Sequence, residues 1–303
     1  MFQLYDIHGP ISSITESSTV TLGVFDGVHR GHQALLKQLK VESGKWEMDS
    51  LVVTLTSHPS FVLGRRQSEY WLDDPEEHLQ LLFGAGMKYV AVLPFTAEVA
   101  QLSACQMAHL MHERLNMRSL LLGYDSRFGN RQRDDFDRLP LLATELGFTL
   151  HRGEPFLIDG APISSSRIRE SLLMGDIEET CSLLGRPYSI IGTVLHGRGV
   201  GHTLGFPTAN INLSLTRKML PREGVYAVRI GRHTGMANLG SQPTFGITGT
   251  SLEVHLLDFS GDLYGQTVEV QFLHRLRDIM RFDSAEALQT QLQQDLNACR
   301  QYE

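Results

Sequence analysis

The sequence predicts an α/β domain followed by a β-rich domain. In the first half, apolar runs of the fully buried strand type alternate with amphipathic helical segments, which indicates a parallel sheet with crossover helices. After about residue 185, short alternating runs are separated by Gly and Pro clusters, which is typical of an antiparallel barrel or sandwich. The chain has 303 residues, enough for two domains. We place these domains at 1–185 and 186–303.

Apolar runs define the predicted strands of the first domain: Thr19–Leu22, Leu51–Leu55, Lys88–Leu93 and Ser119–Gly123. Helical spacing of apolar residues predicts the helices Asp74–Phe83 and Leu102–Leu115, and a further helix that begins at Ser166 and ends at 184–187. Ligands of parallel sheets bind beyond the carboxyl ends of the strands. The residues that follow each strand are therefore candidates for a site.

The predicted strands of the second domain are shorter and more evenly spaced: Ser189–Leu195, Val225–Ile230, His233–Asn238, Leu252–Leu257 and Thr267–Leu273. A closing helix is predicted over Asp283–Arg300, because Leu288, Leu292 and Leu296 recur at helical spacing. We expect this helix to pack on the β-structure.

The composition argues against several classes of protein. A net charge of −7 and a pI near 6.0 disfavour nucleic-acid binding through a basic surface. No apolar run reaches membrane-spanning length, and no signal peptide is evident at the N-terminus. Cys105, Cys181 and Cys299 lack the spacing of a zinc site or a disulfide framework. We expect a reduced, soluble, cytoplasmic protein without nucleic-acid or membrane partners, monomeric or weakly homo-oligomeric.

The segment Gly23–His32, GVFDGVHRGH, lies between the first predicted strand and a helix. Asp26 and Gly27 predict a tight turn, and His29 and His32 fall on one face of the first helical turn. A helix N-terminus binds phosphate, and imidazoles can donate hydrogen bonds to oxygens that gain charge during phosphate transfer. The alternative is a surface turn with two histidines, which this combination of features makes less favoured.

The segment ISSSRIR at 163–169 is a second candidate phosphate site. Ser164, Ser165 and Ser166 precede a helix and would by themselves indicate only an N-cap. Arg169 lies one turn into the helix. Together with the serines, it would present hydroxyls, N–H groups and a fixed cation to a phosphate. The loop GYDSRFGNRQR at 123–133 follows the fourth strand. Asp125 in it is a candidate binding residue, and an ordinary charged loop is the alternative.

The segment GRGVGHTLGFPTAN at 197–210 carries further chemistry. Its glycines could mark only a flexible loop, but Thr208 and Asn210 offer a hydroxyl and an amide oxygen, hard ligands suited to Mg²⁺ bound with phosphates. Glu253 lies in the apolar run SLEVHLLD. A Glu within an apolar strand is often an exposed-face residue, and the run alone indicates that interpretation.

These motifs resemble those of a known family. GVFDGVHRGH is similar to the motif of HxGH nucleotidylyltransferases, which catalyse attack on the α-phosphate of ATP with release of pyrophosphate. Its longer form resembles the variant of prokaryotic bifunctional riboflavin kinase/FAD synthetases. ISSSRIR is similar to their ISSTxxR motif, with Ser166 in place of Thr, and GFPTAN to the PTAN motif of riboflavin kinases. The resemblance runs from about residue 19 to about residue 300.

The resemblance implies a Rossmann-like adenylyltransferase domain and a six-stranded flavokinase barrel. Riboflavin would become FMN in the second domain, with Glu253 as the base and Mg²⁺ on Thr208 and Asn210. FMN would become FAD in the first, and ATP would be the co-substrate of both reactions. Catalytic roles in the first domain are implied for His29, His32 and Arg169. Binding roles are implied for Gly23, Phe25, Asp26, Gly31, Asp125, Ser164, Ser165, Ser166, Gly199, Gly205, Pro207 and Arg277.

The chain departs from the family pattern at Leu55, Ser57, Ser126 and Ile279. The first three departures motivate an alternative, a riboflavin kinase with a weak or inactive adenylyltransferase domain. Another alternative is a flavin-binding regulatory or storage module, which the presence of a candidate base argues against. A transferase for a different phosphate acceptor would leave the PTAN segment unexplained.

Overall fold

The computed structural model describes residues 3–6, 16–57, 59–64, 70–126, 128–130, 136–197, 205–241 and 249–302. The chain divides into two compact units, Met1–Ser165 and Ser166–Glu303. The predicted fold class, an α/β unit followed by a β-barrel with a C-terminal helix, is confirmed. The functional boundary near residue 185 stays a prediction, since the compact units separate at residue 165.

The first unit contains a six-stranded sheet whose strand pairs are all parallel. Its strands are β1 (Gln3–Asp6), β2 (Ser18–Gly23), β3 (Asp49–Leu55), β4 (Tyr89–Leu93), β5 (Met117–Leu122) and β6 (Thr149–Arg152), in the spatial order β1-β4-β3-β2-β5-β6. The described helices are α1 (Arg30–Lys45), α2 (Pro59–Val62), α3 (Pro75–Gly84), α4 (Ala104–Leu115) and α5 (Leu139–Leu146). A small hairpin joins β7 (Leu157–Ile158) and β8 (Ala161–Pro162).

The core of this unit lies on both faces of the sheet, because its central strands are buried on both sides. Adjacent residues of β3 point to opposite faces. Val52 packs in one apolar cluster with Leu36 and Leu39 of α1, and Val53 packs in another with Met107 of α4. Covering both faces leaves the edge formed by the carboxyl ends of the strands for a site.

Local chemistry explains where a predicted helix begins and why an edge strand was not predicted. At the start of α4, the Ser103 hydroxyl accepts from the N–H of Gln106 at 3.2 Å, and the Gln106 side chain accepts from the N–H of Ser103 at 3.0 Å. This reciprocal pair is a capping box. The sequence analysis did not identify α5 or β6. The latter is an edge strand of four residues, none of them fully buried, so its apolar signal is weak.

The second unit is a closed barrel of six antiparallel strands. They are β9 (Tyr188–Leu195), β10 (Ala209–Ile211), β11 (Gly224–Ile230), β12 (His233–Ser241), β13 (Thr250–Leu256) and β14 (Thr267–Arg277), in the order β10-β13-β12-β11-β14-β9. The unit also contains α6 (Ser165–Met174, whose first residue lies in the first unit), α7 (Ile177–Leu184) and α8 (Ala285–Cys299). The sequence periodicity did not distinguish a barrel from a sandwich. The closed ring of paired strands shows that this unit is a barrel.

The prediction of one helix from Ser166 to residue 184 was wrong. The structure has two helices, α6 and α7, because Gly175 adopts a φ of +77° that no regular helix contains. Asp176 then caps the new helix, since its carboxylate accepts from the N–H of Glu179 at 2.9 Å.

The predicted closing helix is confirmed as α8, which packs on the outside of the barrel. Leu292, Leu296 and Cys299 of α8 share an apolar cluster with Phe206 and Met236. Among the described residues, no helix is long and apolar enough to cross a membrane.

We predict that Gly129→Ala destabilises the first unit far more than Gly147→Ala. Both glycines have positive φ, +76° and +71°, which costs an L-residue about 1 kcal/mol. A Cβ on Gly129 would also overlap the backbone of Ala104, whereas none of the described atoms lies within 4 Å of one on Gly147. Overpacking should raise the loss for Gly129→Ala to about 3 kcal/mol. Denaturant unfolding measures both, and equal losses would contradict the close approach at Gly129.

Candidate active sites

The first candidate site is built on the turn between β2 and α1. Three residues of this turn have positive φ: Phe25 at 52°, Gly27 at 80° and Val28 at 35°. His29 is the N-cap of α1, where its Nδ1 accepts from the N–H of His32 at 3.3 Å. The predicted tight turn and helix start are therefore confirmed, and they place both histidines at a helix N-terminus.

The two imidazoles lie face to face. The ring centroids of His29 and His32 are 3.5 Å apart with an interplanar angle of 17°, and Phe25 contacts His32 edge-on at 5.2 Å. Burial, together with the nearby charges of His29 and His78, holds the pKa of His32 well below its usual value. His32 is therefore neutral at neutral pH, when an imidazole can donate one hydrogen bond and accept another.

Long-range hydrogen bonds hold this turn. The buried Asp26 carboxylate accepts from the N–H of Leu72 at 2.8 Å, and the N–H of Gly27 donates to Asp73 at 3.1 Å. The Ser165 hydroxyl donates to the carbonyl of Asp26 at 3.1 Å. The two motifs predicted to form one site thus meet directly, although 139 positions separate the bonded residues.

A cavity of about 140 Å³ opens beside the stacked histidines. Six of the predicted site residues line it: His29, Gly31, His32, Asp125, Ser164 and Ser165. Of the other lining residues, Gly123, Tyr124 and Ile163 lie in segments that the sequence analysis singled out, whereas Leu35, Glu154 and Phe156 do not. Glu154 follows β6, so recognition of β6 as a strand would have marked it by the rule used for the other strand ends.

The remaining predicted residues of this site lie off the cavity wall. Gly23 ends β2, where a Cβ would lie 3.0 Å from the Phe25 ring, and Phe25 and Asp26 are buried. Ser166 is exposed on α6, and Arg169 lies one turn later on that helix, 8% exposed. Their roles toward a ligand stay predictions.

The second candidate site lies on a row of registered residues that crosses five neighbouring barrel strands. Arg277 of β14 pairs with Val225 of β11, which pairs with Asn238 of β12. Glu253 of β13 pairs with Asn238 on one side and with Asn210 of β10 on the other. Directly paired residues share a face of the sheet. The register between β10 and β13 therefore places the predicted base and a predicted metal ligand side by side.

A cavity of about 340 Å³ lies at this row. Three predicted residues line it: Thr208, Glu253 and Arg277. The remaining lining residues include Asn238 and His255 and are otherwise apolar: Phe206, Val225, Met236, Ala237, Ile279, Met280, Phe282, Leu288 and Leu292. A mostly apolar cavity with a few convergent polar groups is typical of a small-molecule site.

The PTAN segment is anchored by His255, which sequence reasoning missed. The Nδ1–H of His255 donates to the carbonyl of Pro207 at 2.8 Å, and its ring contacts Phe206 edge-on at 5.4 Å. On the other side, Gly197 leaves room for Asn210, since a Cβ there would overlap the Asn210 amide. Gly205 is exposed with a φ of +84°. Gly199 lies outside the described residues.

Arg277 is fixed at the cavity wall by a bidentate ion pair. Its Nε and Nη2 donate to the Asp295 carboxylate at 3.0 and 2.7 Å, and Asp295 is 3% exposed. Gln291 donates to the same carboxylate at 3.0 Å. These contacts join the end of β14 to α8, so Arg277 has a structural partner in addition to its place on the cavity.

The comparisons with known proteins divide the chain between two families. Residues 11–167 match the sequence model of FAD synthetase, and residues 184–303 match that of riboflavin kinase. Together with the two sites, these matches define a two-domain transferase acting on flavins and nucleotides.

Relatives match the chain over almost its whole length. The bifunctional riboflavin kinase/FMN adenylyltransferase of Haemophilus influenzae is 34% identical, with 95% of each chain covered, and that of Escherichia coli is 35% identical, with 98% of this chain and 96% of the relative covered. The chain belongs to the family of bifunctional riboflavin kinase/FMN adenylyltransferases. A crystal structure titled macrolide-efflux protein, from Streptococcus pneumoniae, is 32% identical over 95% of each chain with a TM-score of 0.87.

We predict that Asp295→Ala lowers the free energy of unfolding of the second unit by about 3 kcal/mol, because the partly buried Arg277 would lose its counter-charge. Denaturant unfolding measures the change. Arg300→Ala is the matched control. It removes a surface ion pair with Asp258, in which the side chains of Arg300 and Asp258 are 46% and 75% exposed, and it should have little effect. Equal effects would refute the special role of the Arg277 pair.

Proposed function

We propose that the chain carries out two successive transfers, with the residues at each cavity in the roles given below. The second unit phosphorylates riboflavin to FMN, and the first adenylylates FMN to FAD with release of pyrophosphate. The assignment of sites rests on one observation. In each family-matched region, polar residues of the sequence motifs line a cavity, and the two cavities are separate.

In the kinase reaction, the Glu253 carboxylate accepts the proton of the riboflavin 5′-hydroxyl as this oxygen attacks the γ-phosphate of ATP, and ADP leaves. Glu253 lies on the same cavity as Thr208 and beside Asn210. The hydroxyl and amide oxygens of these two residues fit Mg²⁺, which would offset charge on the phosphates when bound. Arg277, held by Asp295, would contact the flavin at the apolar end of the cavity.

In the adenylyl transfer, a phosphate oxygen of FMN attacks the α-phosphate of a second ATP, and the bond to pyrophosphate breaks. His29 and His32 would stabilise the charge that develops on the α-phosphate oxygens. Ser164, Ser165 and Ser166 lie at the N-terminus of α6, where backbone N–H groups and the helix dipole favour an anion. With Arg169 on the same helix, they would hold the departing pyrophosphate.

The kinase-only alternative is not favoured. The histidines and serines of the adenylyltransferase motifs line one cavity, and the three departures that motivated the alternative, Leu55, Ser57 and Ser126, lie off its wall. Cytoplasmic location is part of the proposal, supported by three free cysteine thiols. A monomeric or weakly oligomeric state stays a prediction.

We expect His32→Ala to lower the rate of FAD formation from FMN and ATP by roughly 100-fold, since one donor to the developing charge is lost. FMN formation from riboflavin should be unchanged. Chromatography of the flavin products measures both rates in one preparation. His109→Ala is the control, because His109 is a half-exposed histidine of α4 in the same unit. Unchanged FAD output in His32→Ala would refute the assigned role.

Glu253→Gln should have the opposite effect. Loss of the base should lower FMN formation by roughly 100-fold or more, while FAD formation from supplied FMN continues. Glu269→Gln, an exposed glutamate of β14, is the matched control. Equal loss of both activities in Glu253→Gln would contradict the division of labour between the two units.

A further inference from the structure

Three buried polar side chains, Thr54, His78 and Asp73, are joined by hydrogen bonds near the stacked histidines. None of them belongs to a sequence motif. The Nδ1 of His78 on α3 lies 3.0 Å from the Asp73 carboxylate, and its Nε2 lies 2.8 Å from the hydroxyl of Thr54 on β3. His78 is 8% exposed, and Asp73 and Thr54 are each 2% exposed. Both ring nitrogens of this buried histidine therefore have the polar partners that burial requires.

The hydrogen-bonded series Thr54–His78–Asp73 contacts both ends of the turn between β2 and α1. The Thr54 hydroxyl donates to the carbonyl of Val24 at 3.3 Å, just after β2. Asp73 accepts from the N–H of Gly27 through the same oxygen that faces His78. The strained segment that leads into α1 is therefore linked to His78 at two points: at Val24 through Thr54, and at Gly27 through Asp73.

Each ring nitrogen of His78 has one polar partner. The Asp73 carboxylate accepts only, so Nδ1 of His78 donates to it. Nε2 lies 2.8 Å from the Thr54 hydroxyl, which also lies 3.3 Å from the carbonyl of Val24. The ring therefore links Asp73, which holds Gly27, to Thr54, which contacts Val24.

We propose that His78 is a positioning residue of the adenylyl-transfer site. Held between Asp73 and Thr54, it fixes the turn after β2 that carries His29 and leads into His32 on α1. The inference rests on the proposed function of this cavity.

The first test measures the wild-type protein, so it does not depend on the folding of a variant. ¹⁵N NMR of the histidine rings should show one buried histidine whose Nδ1 carries a slowly exchanging proton, assigned to His78 by its absence in His78→Gln. Asp73→Asn should speed the exchange of that proton. A His78 ring whose Nδ1 carries no proton in the wild type would overturn the proposal.

The second test separates positioning from folding. His78→Gln should lower kcat for FAD formation by roughly 100-fold, the scale expected when reacting groups are misplaced, with KM for FMN and ATP within about twofold of wild type. FMN formation by the same preparation should be unchanged. His78→Asn, whose amide can donate to Asp73 from near the position of Nδ1, should recover about tenfold of the lost rate.

Leu82→Ala is the matched control, since Leu82 is fully buried on the same helix and packs in the apolar cluster with Val28 and Leu36. It should lower thermal stability while kcat for FAD formation stays within about twofold of wild type. Wild-type kcat in His78→Gln, or an equal loss in Leu82→Ala, would overturn the positioning role. His32→Ala is measured in parallel, because wild-type FAD formation in that variant would refute the proposed function itself.

Discussion

The turn between β2 and α1 is the constraint on which the first site depends. Val28 is β-branched and buried at a φ of 35°, and such positions cost about 1–3 kcal/mol unless the surroundings determine them. Gln33 donates to the Val28 carbonyl at 2.8 Å. Leu72 and Ser165 donate to Asp26, and Gly27 donates to Asp73, so the two residues before Val28 are also held. The strain is thus offset by partners on several elements, and the result is the stacked pair of histidines at a helix N-terminus.

The second site is positioned by the register of the barrel strands, whereas the first site is positioned by a turn. A closed barrel has no free edge, so the register between strands is fixed around the whole ring. The row from Arg277 to Asn210 is a consequence of that register, and no local turn is needed to align its members. The Arg277–Asp295 pair then adds α8 to the wall of the cavity.

Periodicity and motif spacing predicted the central strands, the capped helices and part of the lining of both cavities, because these features are local in sequence. The roles of Arg277 and Glu253 came only from the family resemblance. Elements with weak local signals were missed: the edge strand β6 and the short strand β10. Asp73 and His255 could not be assigned roles, since their bonds to Gly27 and Pro207 span 46 and 48 positions. The register that sets Asn238 beside Glu253 is likewise absent from a linear pattern.

Both sites use a histidine outside the motif to hold the motif's backbone. His78 reaches the turn after β2 through its two partners, and His255 bonds directly to the carbonyl of Pro207. Neither proposed transfer forms a covalent enzyme intermediate, so catalysis depends on position and electrostatics. Under that condition, we expect a shift of the backbone that carries His32 or Thr208 to lower the rate much as loss of the side chain would. The supporting histidines would then affect catalysis without contact to a reacting atom.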